Sequence, residues 1–150
     1  MTDPEERLAE AGRLARLLIE IGEQSKADFA AIVGRLGLPG HLARAMVMLS
    51  TPAPMRDLAE RLACDRSYIT SLADQLDERG LVERVPGEDR RVKLLALTEA
   101  GVEMRDRISR AVGEENMIMR RLSDEERAVL GPLLERLHDP DAPRPGPENC

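Results

Sequence analysis

The sequence predicts a mainly α-helical protein that carries one small β-hairpin. Its 150 residues are 42% hydrophobic but include one Phe, one Tyr and no Trp, so the core must be built from aliphatic side chains and Met. Apolar positions recur at helical spacing along most of the chain, and two short apolar segments around a Pro-Gly turn interrupt this pattern once. The length suits one domain with a real core.

The first predicted element is a long helix. Apolar or small residues alternate in steps of three and four from Leu8 to Leu36, which places them on one face of a helix. A helix of this length in so small a protein often packs against a partner chain as well as its own core. Glycines and a proline between Gly34 and Gly40 end it, and residues 41–50 then predict a short apolar helix.

Two short helices of matching pattern follow, and together they predict a helix-turn-helix. Each has apolar residues at positions i, i+3, i+4 and i+7. These residues are Met55, Leu58, Ala59 and Leu62 in the first helix, and Ile69, Leu72, Ala73 and Leu76 in the second. Residues 63–67 form the turn between them, where Asp65 or Ser67 can cap the second helix, and Gly80 ends that helix.

A β-hairpin is predicted directly after the helix pair. Residues 81–85 and 92–97 have the pattern of two strands around the segment 86–91, whose tip carries Arg90 and Arg91. The combination is typical of a winged helix-turn-helix, an α fold with a small β-hairpin wing.

Helices return after the wing. Thr98 is a candidate N-cap, and a loose apolar stripe continues from Val102 to Met119. The last helix opens with a capping box at residues 123–126 and runs to Leu137. Pro132 lies inside its pattern and is expected to kink the helix or to start a new one. Residues 139–150 carry four prolines and predict a disordered tail.

The second helix of the helix-turn-helix presents short hydrogen-bonding side chains on its outward face. When its apolar positions face inward, the outward residues are Ser67, Thr70, Ser71 and Asp74, with Arg66 and Tyr68 at the flanks of the first turns. Such residues at a helix N-terminus reach base edges and phosphates in a major groove. A polar solvated helix face is the alternative, and the neighbouring wing favours DNA binding over it.

The tip of the wing supports the same interpretation. Arg90 and Arg91 are placed to reach an adjacent minor groove, where narrow A·T-rich stretches concentrate negative potential. Asp89 is expected to orient an arginine fork. The alternative is a surface hairpin with an ordinary ion pair, which would contribute little.

These segments closely resemble the MarR family of bacterial regulators. The resemblance rests on Asp57-Leu58-Ala59, on residues 69–84, and on Asp89-Arg90-Arg91 followed by an apolar strand that ends in Leu97-Thr98-Glu99-Ala100-Gly101. It covers about residues 8–138 and is strongest from 55 to 101.

The resemblance implies a triangular homodimer that reads a pseudo-palindromic operator in double-stranded DNA. Residues 5–38 and 102–138 would form a helical dimerisation region with intertwined first and last helices, and residues 41–101 the DNA-binding lobe. Arg91 would enter the minor groove and Arg90 would contact a backbone phosphate. The implied recognition-helix contacts are Arg66, Ser67, Tyr68, Thr70 and Ser71.

Many relatives are repressors that a small phenolic or otherwise lipophilic ligand releases from DNA, so the resemblance also implies a candidate effector pocket. Its candidate residues are Phe29, His41, Met46 and Met48, with core packing as the alternative for the methionines. Cys64 is interpreted as a small residue that fills the turn rather than as an oxidant sensor, and both it and Cys150 are expected to be reduced thiols.

The sequence argues against an enzyme, a metal site and a cofactor. It has no nucleophile elbow, metalloprotease or dinucleotide motif, and the segment from Gly34 to Gly40 lacks the lysine of a phosphate loop. The two histidines, His41 and His138, have no metal-ligand spacing. The acidic N-terminus and the lack of a long apolar run predict a cytoplasmic protein without a membrane partner.

The acidic balance leaves one rival function open. The net charge is −6, divided as −1 over residues 1–54, −1 over 55–98 and −4 over 99–150, so the acid is concentrated in the last third. DNA binding relies on neutralising phosphates. A winged helix that serves as a protein-interaction module without DNA binding is therefore the alternative.

Overall fold

The computed structural model describes residues 3–142, which form seven α-helices and three short strands. The helices are α1 (Pro4–Arg35), α2 (Gly40–Met48), α3 (Met55–Leu62), α4 (Arg66–Glu78), α5 (Glu99–Glu115), α6 (Met117–Arg121) and α7 (Asp124–Leu137). The strands are β1 (Ala53–Pro54), β2 (Val82–Pro86) and β3 (Lys93–Leu97). The prediction of a mainly α fold with a β-hairpin wing is confirmed.

The hydrophobic core lies in the central part of the chain. It is formed by apolar faces of α2, α3 and α4 and the inner face of the sheet, and it extends to Val33 of α1 and Ile108 of α5. Leu42, Leu58 and Leu72, one from each of the three central helices, are at most 1% exposed. Their packing supplies the main hydrophobic contribution to stability.

The sheet has three antiparallel strands in the order β1-β3-β2. Its third member, β1, was not expected, because residues 50–54 carry two prolines and read as a helix end. Ala53 pairs with Leu95 and Pro54 with Leu94. Pro54 lacks an N–H group, which an edge strand tolerates. This short strand attaches the start of α3 to the middle of β3.

Asn116 divides the apolar stripe that the sequence extends from Val102 to Met119. Its side-chain oxygen accepts the N–H groups of Ile118 and Met119 at 3.0 and 3.1 Å, so it ends α5 and caps α6. The break redirects the chain, and Met119 is 41% exposed whereas Ile108 of α5 is fully buried.

Asp28 of α1 joins the long helix to α6. Its carboxylate accepts the N–H of Met117 at 2.7 Å and a guanidinium N–H of Arg120 at 2.9 Å. The hydrogen bond from Arg120 holds the pKa of this carboxyl below its ordinary value, with the Met117 N–H acting in the same direction against the effect of partial burial.

Two helical segments lie outside this core. Residues 4–27 of α1 are exposed throughout, and α7 has no buried residue. The capping box of α7 is confirmed, since Ser123 and Glu126 exchange hydrogen bonds of 3.2 and 2.8 Å. Pro132 lies inside one continuous helical element from Asp124 to Leu137, so no new helix starts there, and the predicted kink stays a prediction.

None of the helices within residues 3–142 has the length and apolar character that a membrane crossing needs. Of the predicted tail, residues 139–142 form a turn, and the remainder lies outside the described residues.

Candidate nucleic-acid interface

The helix-turn-helix forms where the sequence predicts it. α3 ends at Ala63, whose φ of 55° is left-handed, and α4 begins at Arg66. Asp65 occupies the N-cap position, as one of the two predicted alternatives has it, but its side chain makes no capping hydrogen bond, and Ser67 lies inside the helix. The first turn of α4 therefore includes Arg66 and Ser67, whose side chains are exposed.

The outward face of α4 carries most of the predicted contact residues. Ile69 and Leu76 are fully buried on the opposite side. Arg66, Ser67, Thr70 and Ser71 are all exposed. The hydroxyl of Thr70 donates to the carbonyl of Arg66 at 3.0 Å, which leaves its lone pairs free to accept. These side chains form a short polar and cationic surface at the helix N-terminus, which suits phosphate and base-edge recognition.

Tyr68 differs from the other predicted contacts. Its side chain is half-buried and packs against the hydrophobic core, where it also lines a cavity described below. The side chain of Tyr68 therefore does not lie on the exposed face of α4 that Ser67 and Thr70 share.

The wing places two cationic side chains beyond the core. Arg90 and Arg91 are exposed at the turn between β2 and β3, and neither forms an ion pair within the described part of the chain. The turn is closed by hydrogen bonds from Val92 N–H to the Asp89 carbonyl and from Gly87 N–H to the Val92 carbonyl, both 2.9 Å long. Two guanidinium groups are thus available to an external anion.

Asp89 acts on the main chain rather than on a guanidinium group. Its carboxylate accepts the backbone N–H of Arg91 at 3.0 Å, in the manner of an Asx turn. The expectation that Asp89 orients an arginine fork is corrected accordingly: the aspartate shapes the turn that presents Arg91.

A corner at the base of the wing joins it to the end of α4. The hydroxyl of Thr98 donates to the Gly80 carbonyl at 2.6 Å and accepts the Gly101 N–H at 3.0 Å, which confirms its capping role. The Thr98 N–H donates to the Leu81 carbonyl at 3.1 Å. A Cβ on Gly101 would lie 2.0 Å from that same carbonyl oxygen, so only glycine fits. The Thr-x-x-Gly spacing is a requirement of this corner.

A second link between the wing and α4 was not singled out in the sequence. Arg84 of β2 contacts the carboxylates of Asp74 at 2.6 Å and Asp77 at 3.5 Å, both on α4. The strand pattern does not identify the partners of Arg84, because the pairing depends on how the hairpin folds back over the helix.

A cavity of about 620 Å³ lies between α1, α2 and the helix-turn-helix. Phe29, His41 and Met48 line it, as does Tyr68 from the first turn of α4. Met46 is fully buried in the core and does not line the cavity, which corrects that part of the pocket prediction. Lys26 and Arg44 supply cationic side chains to an otherwise mostly apolar lining.

Cys64 lies in the turn of the helix-turn-helix, half-buried against the core. It is disulfide-bonded in the structure, which corrects the expectation of a reduced thiol. The other cysteine of the sequence, Cys150, lies outside the described residues.

Comparison with known proteins agrees with this geometry. The MarR family model matches residues 49–93. A proposed transcriptional regulatory protein for the hcr operon of Thauera aromatica is 36% identical over 110 residues, which are 71% of this chain and 66%, just under two thirds, of that protein's length.

Solved structures show the same fold. Wild-type apo MarR from Escherichia coli has a TM-score of 0.74 at 22% identity, over 84% of this chain and 96% of that one. A single-substitution mutant of the same protein, complexed with operator DNA, has a TM-score of 0.66 at 21% identity, over 92% and 100%. A probable transcriptional regulator from Pseudomonas aeruginosa has a TM-score of 0.65 at 30% identity, over 83% and 99%. With its family-model match and these relatives, the chain belongs to the MarR family.

Proposed function

We propose that this protein is a homodimeric transcriptional regulator, a repressor, that binds a pseudo-palindromic operator in double-stranded DNA. The observation that carries the proposal is the pair of exposed arginines on the wing, Arg90 and Arg91, beside the exposed N-terminal half of α4. A helix in the major groove and a cationic loop in the adjacent minor groove together read sequence and shape. Such a protein acts on the chromosome in the cytoplasm and has no catalytic role.

The contacts divide by the kind of information that they supply. Ser67, Thr70 and Ser71 are short enough for α4 to approach base edges closely, so they are assigned to base readout. Arg66 and Arg90 are assigned to phosphates, which fix register without reading sequence. Arg91 is assigned to the minor groove. Tyr68 is not assigned a DNA contact, because its side chain packs against the core beside this surface.

Surface area supports the homodimer. The chain exposes 10,686 Å², whereas a compact monomer of 16.6 kDa exposes about 7,600 Å². A standard interface buries about 800 Å² per partner, so the excess is large enough to contain one.

The position of the exposed apolar residues agrees with that estimate. They are concentrated on α1 and α7, where Ile19 is 68% exposed and Leu137 is 67% exposed. Neither segment buries this surface within its own chain, so a second copy is the proposed partner. We assign residues 5–38 and 102–138 to dimerisation and residues 41–101 to the DNA-binding lobe.

The cavity supports release of the repressor by a small lipophilic or phenolic ligand. Its volume of about 620 Å³ lies within the range of small-molecule pockets. A ligand there would touch Phe29 of α1 and Tyr68 of α4 at once, and so would couple the dimerisation helix to the DNA-reading helix. Thermal denaturation with and without phenolic compounds tests occupancy, and loss of DNA binding at the same concentrations tests release.

The decisive experiment for the function is sequencing of genomic fragments captured by the purified protein, with Arg91→Ala as the matched variant. An inverted repeat with half-site centres about one helical turn apart supports a dimeric regulator. Failure to enrich any duplex at low salt favours the protein-interaction module instead, whose contacts would also resist salt.

A further inference from the structure

Arg84 occupies a position in the wing where the strand pattern calls for an apolar residue. It pairs directly with Leu95 across the hairpin, so the two side chains lie on the same face of the sheet. Leu95 is 1% exposed on that face, as is Val82 two residues before Arg84. The inward face of β2 thus changes from a buried valine at the base of the wing to an arginine that is 38% exposed.

The side chain of Arg84 faces α4, the second helix of the helix-turn-helix. Asp74 and Asp77 are three residues apart on α4 and present their carboxylates on one side of it. The planar guanidinium contacts both carboxylates, at 2.6 and 3.5 Å, and it lies near the C-terminal half of α4, where the helix dipole favours a cation. One side chain therefore connects the wing to two points on the helix.

We infer that Arg84 is a positioning residue for DNA binding, which holds the wing at the angle to α4 that lets both enter their grooves. The inference rests on the proposed function, because that angle matters only if α4 and Arg91 contact the same DNA. The other hydrogen bonds between the wing and the end of α4 lie at its base, at Leu81 and Thr98. Arg84 acts further out, between that base and the exposed tip.

A first test needs no DNA. The wing tip carries two trypsin sites, Arg90 and Arg91, so the rate of cleavage there reports how often the wing opens. Arg84→Gln removes the bridge and is expected to raise that rate by about two- to fivefold, the size of change that exposed ion pairs support. The control is Arg35→Gln, which removes an ion pair with Glu115 far from the wing and is expected to leave cleavage at the tip unchanged.

The second test is a double-mutant cycle on a duplex selected by the wild-type protein. Arg84→Gln is expected to weaken binding by about two- to fivefold in the wild-type background, and by much less when Arg91 is already Ala. This coupling follows because Arg84 acts through the placement of Arg91 and not through its own charge. The double variant Asp74→Asn/Asp77→Asn keeps the arginine but removes the bridge, and it is expected to couple to Arg91 in the same way.

The outcomes separate the two proposals. If the wild-type protein binds DNA and the effects of Arg84→Gln and Arg91→Ala on affinity are additive, the positioning role is overturned and the proposed function stands. An unchanged rate of trypsin cleavage at the wing tip in Arg84→Gln likewise overturns the positioning role alone. Absence of binding by the wild-type protein to any duplex overturns both proposals. If Arg84→Gln lowers the melting temperature strongly, the Asp74→Asn/Asp77→Asn variant supplies the same cycle.

Discussion

Replacing Gly101 with alanine tests whether the corner at the base of the wing is as tight as the structure indicates. An added Cβ would meet the Leu81 carbonyl oxygen at 2.0 Å, the Leu81 carbonyl carbon at 3.0 Å and the Leu97 Cβ at 3.2 Å. The nearest atoms belong to the backbone, and the Leu81 carbonyl already accepts the Thr98 N–H. The clash therefore cannot be relieved by a side-chain rotation.

The change in the free energy of unfolding of Gly101→Ala combines a stabilising effect of helix propensity with the destabilising effect of the clash. Alanine in place of glycine stabilises a helix by about 1 kcal/mol. Overpacking costs about 1–3 kcal/mol, and weakening the hydrogen bond to Leu81 costs about another 1 kcal/mol. The net expectation for Gly101→Ala is a loss of about 1–3 kcal/mol, which lowers the melting temperature by roughly 3–10 °C in a chain of this size.

Gly113 offers a matched control in the same helix. A Cβ there meets no atom within 4 Å, so only the helix-propensity effect operates. Gly113→Ala is expected to raise stability by about 0.5–1 kcal/mol.

Thermal denaturation followed by far-UV circular dichroism, at one protein concentration for all variants, measures both changes. A Gly101→Ala protein as stable as the wild type would refute the reasoning. Equal shifts of the same sign in the two variants would also refute it, because they would mean that the corner has room for a methyl group.

Three further predictions address the interface, the α1–α6 contact and the dimer. Arg91→Ala is expected to weaken operator binding by about 1–3 kcal/mol and to lower the salt slope by about one, measured by titration at several salt concentrations; an unchanged affinity contradicts its minor-groove role. Because the pKa of Asp28 is lowered in the folded state, its stabilising effect is complete above the ordinary value of 3.8 and is lost as the pH falls through the folded-state pKa. Unfolding curves of Asp28→Asn are therefore expected to depend less on pH in that acidic window, and identical pH profiles would rule this out. Leu133→Glu, at an α7 side chain that is 47% exposed, is expected to shift sedimentation from dimer to monomer without loss of helix, and an unaltered dimer would place the interface elsewhere.

The spacing of apolar and capping residues in the sequence predicted most of the helices. The repeated spacing of Met55, Leu58 and Leu62, and of Ile69 and Leu76, predicted the helix-turn-helix because a helix with one apolar face has a single way to bury it. Thr98 and Ser123 were recognised as caps, because capping depends on residues within one turn. The wing hairpin followed equally from alternation around a Pro-Gly turn.

Contacts between distant parts of the chain decided the rest. Strand β1 exists only because Ala53 meets Leu95, and its two residues are too short to carry a pattern. Tyr68 lines the cavity because tertiary packing places the first turn of α4 across that cavity from α1 and α2.

The Arg84 bridge forms only when the wing folds back over α4, and the tight corner at Gly101 is one of the tertiary contacts that allow it. Sequence periodicity reports which face of an element is buried. It carries no information on how two elements are oriented once both faces are covered, and in this protein that orientation decides which exposed side chains of α4 and the wing share a surface.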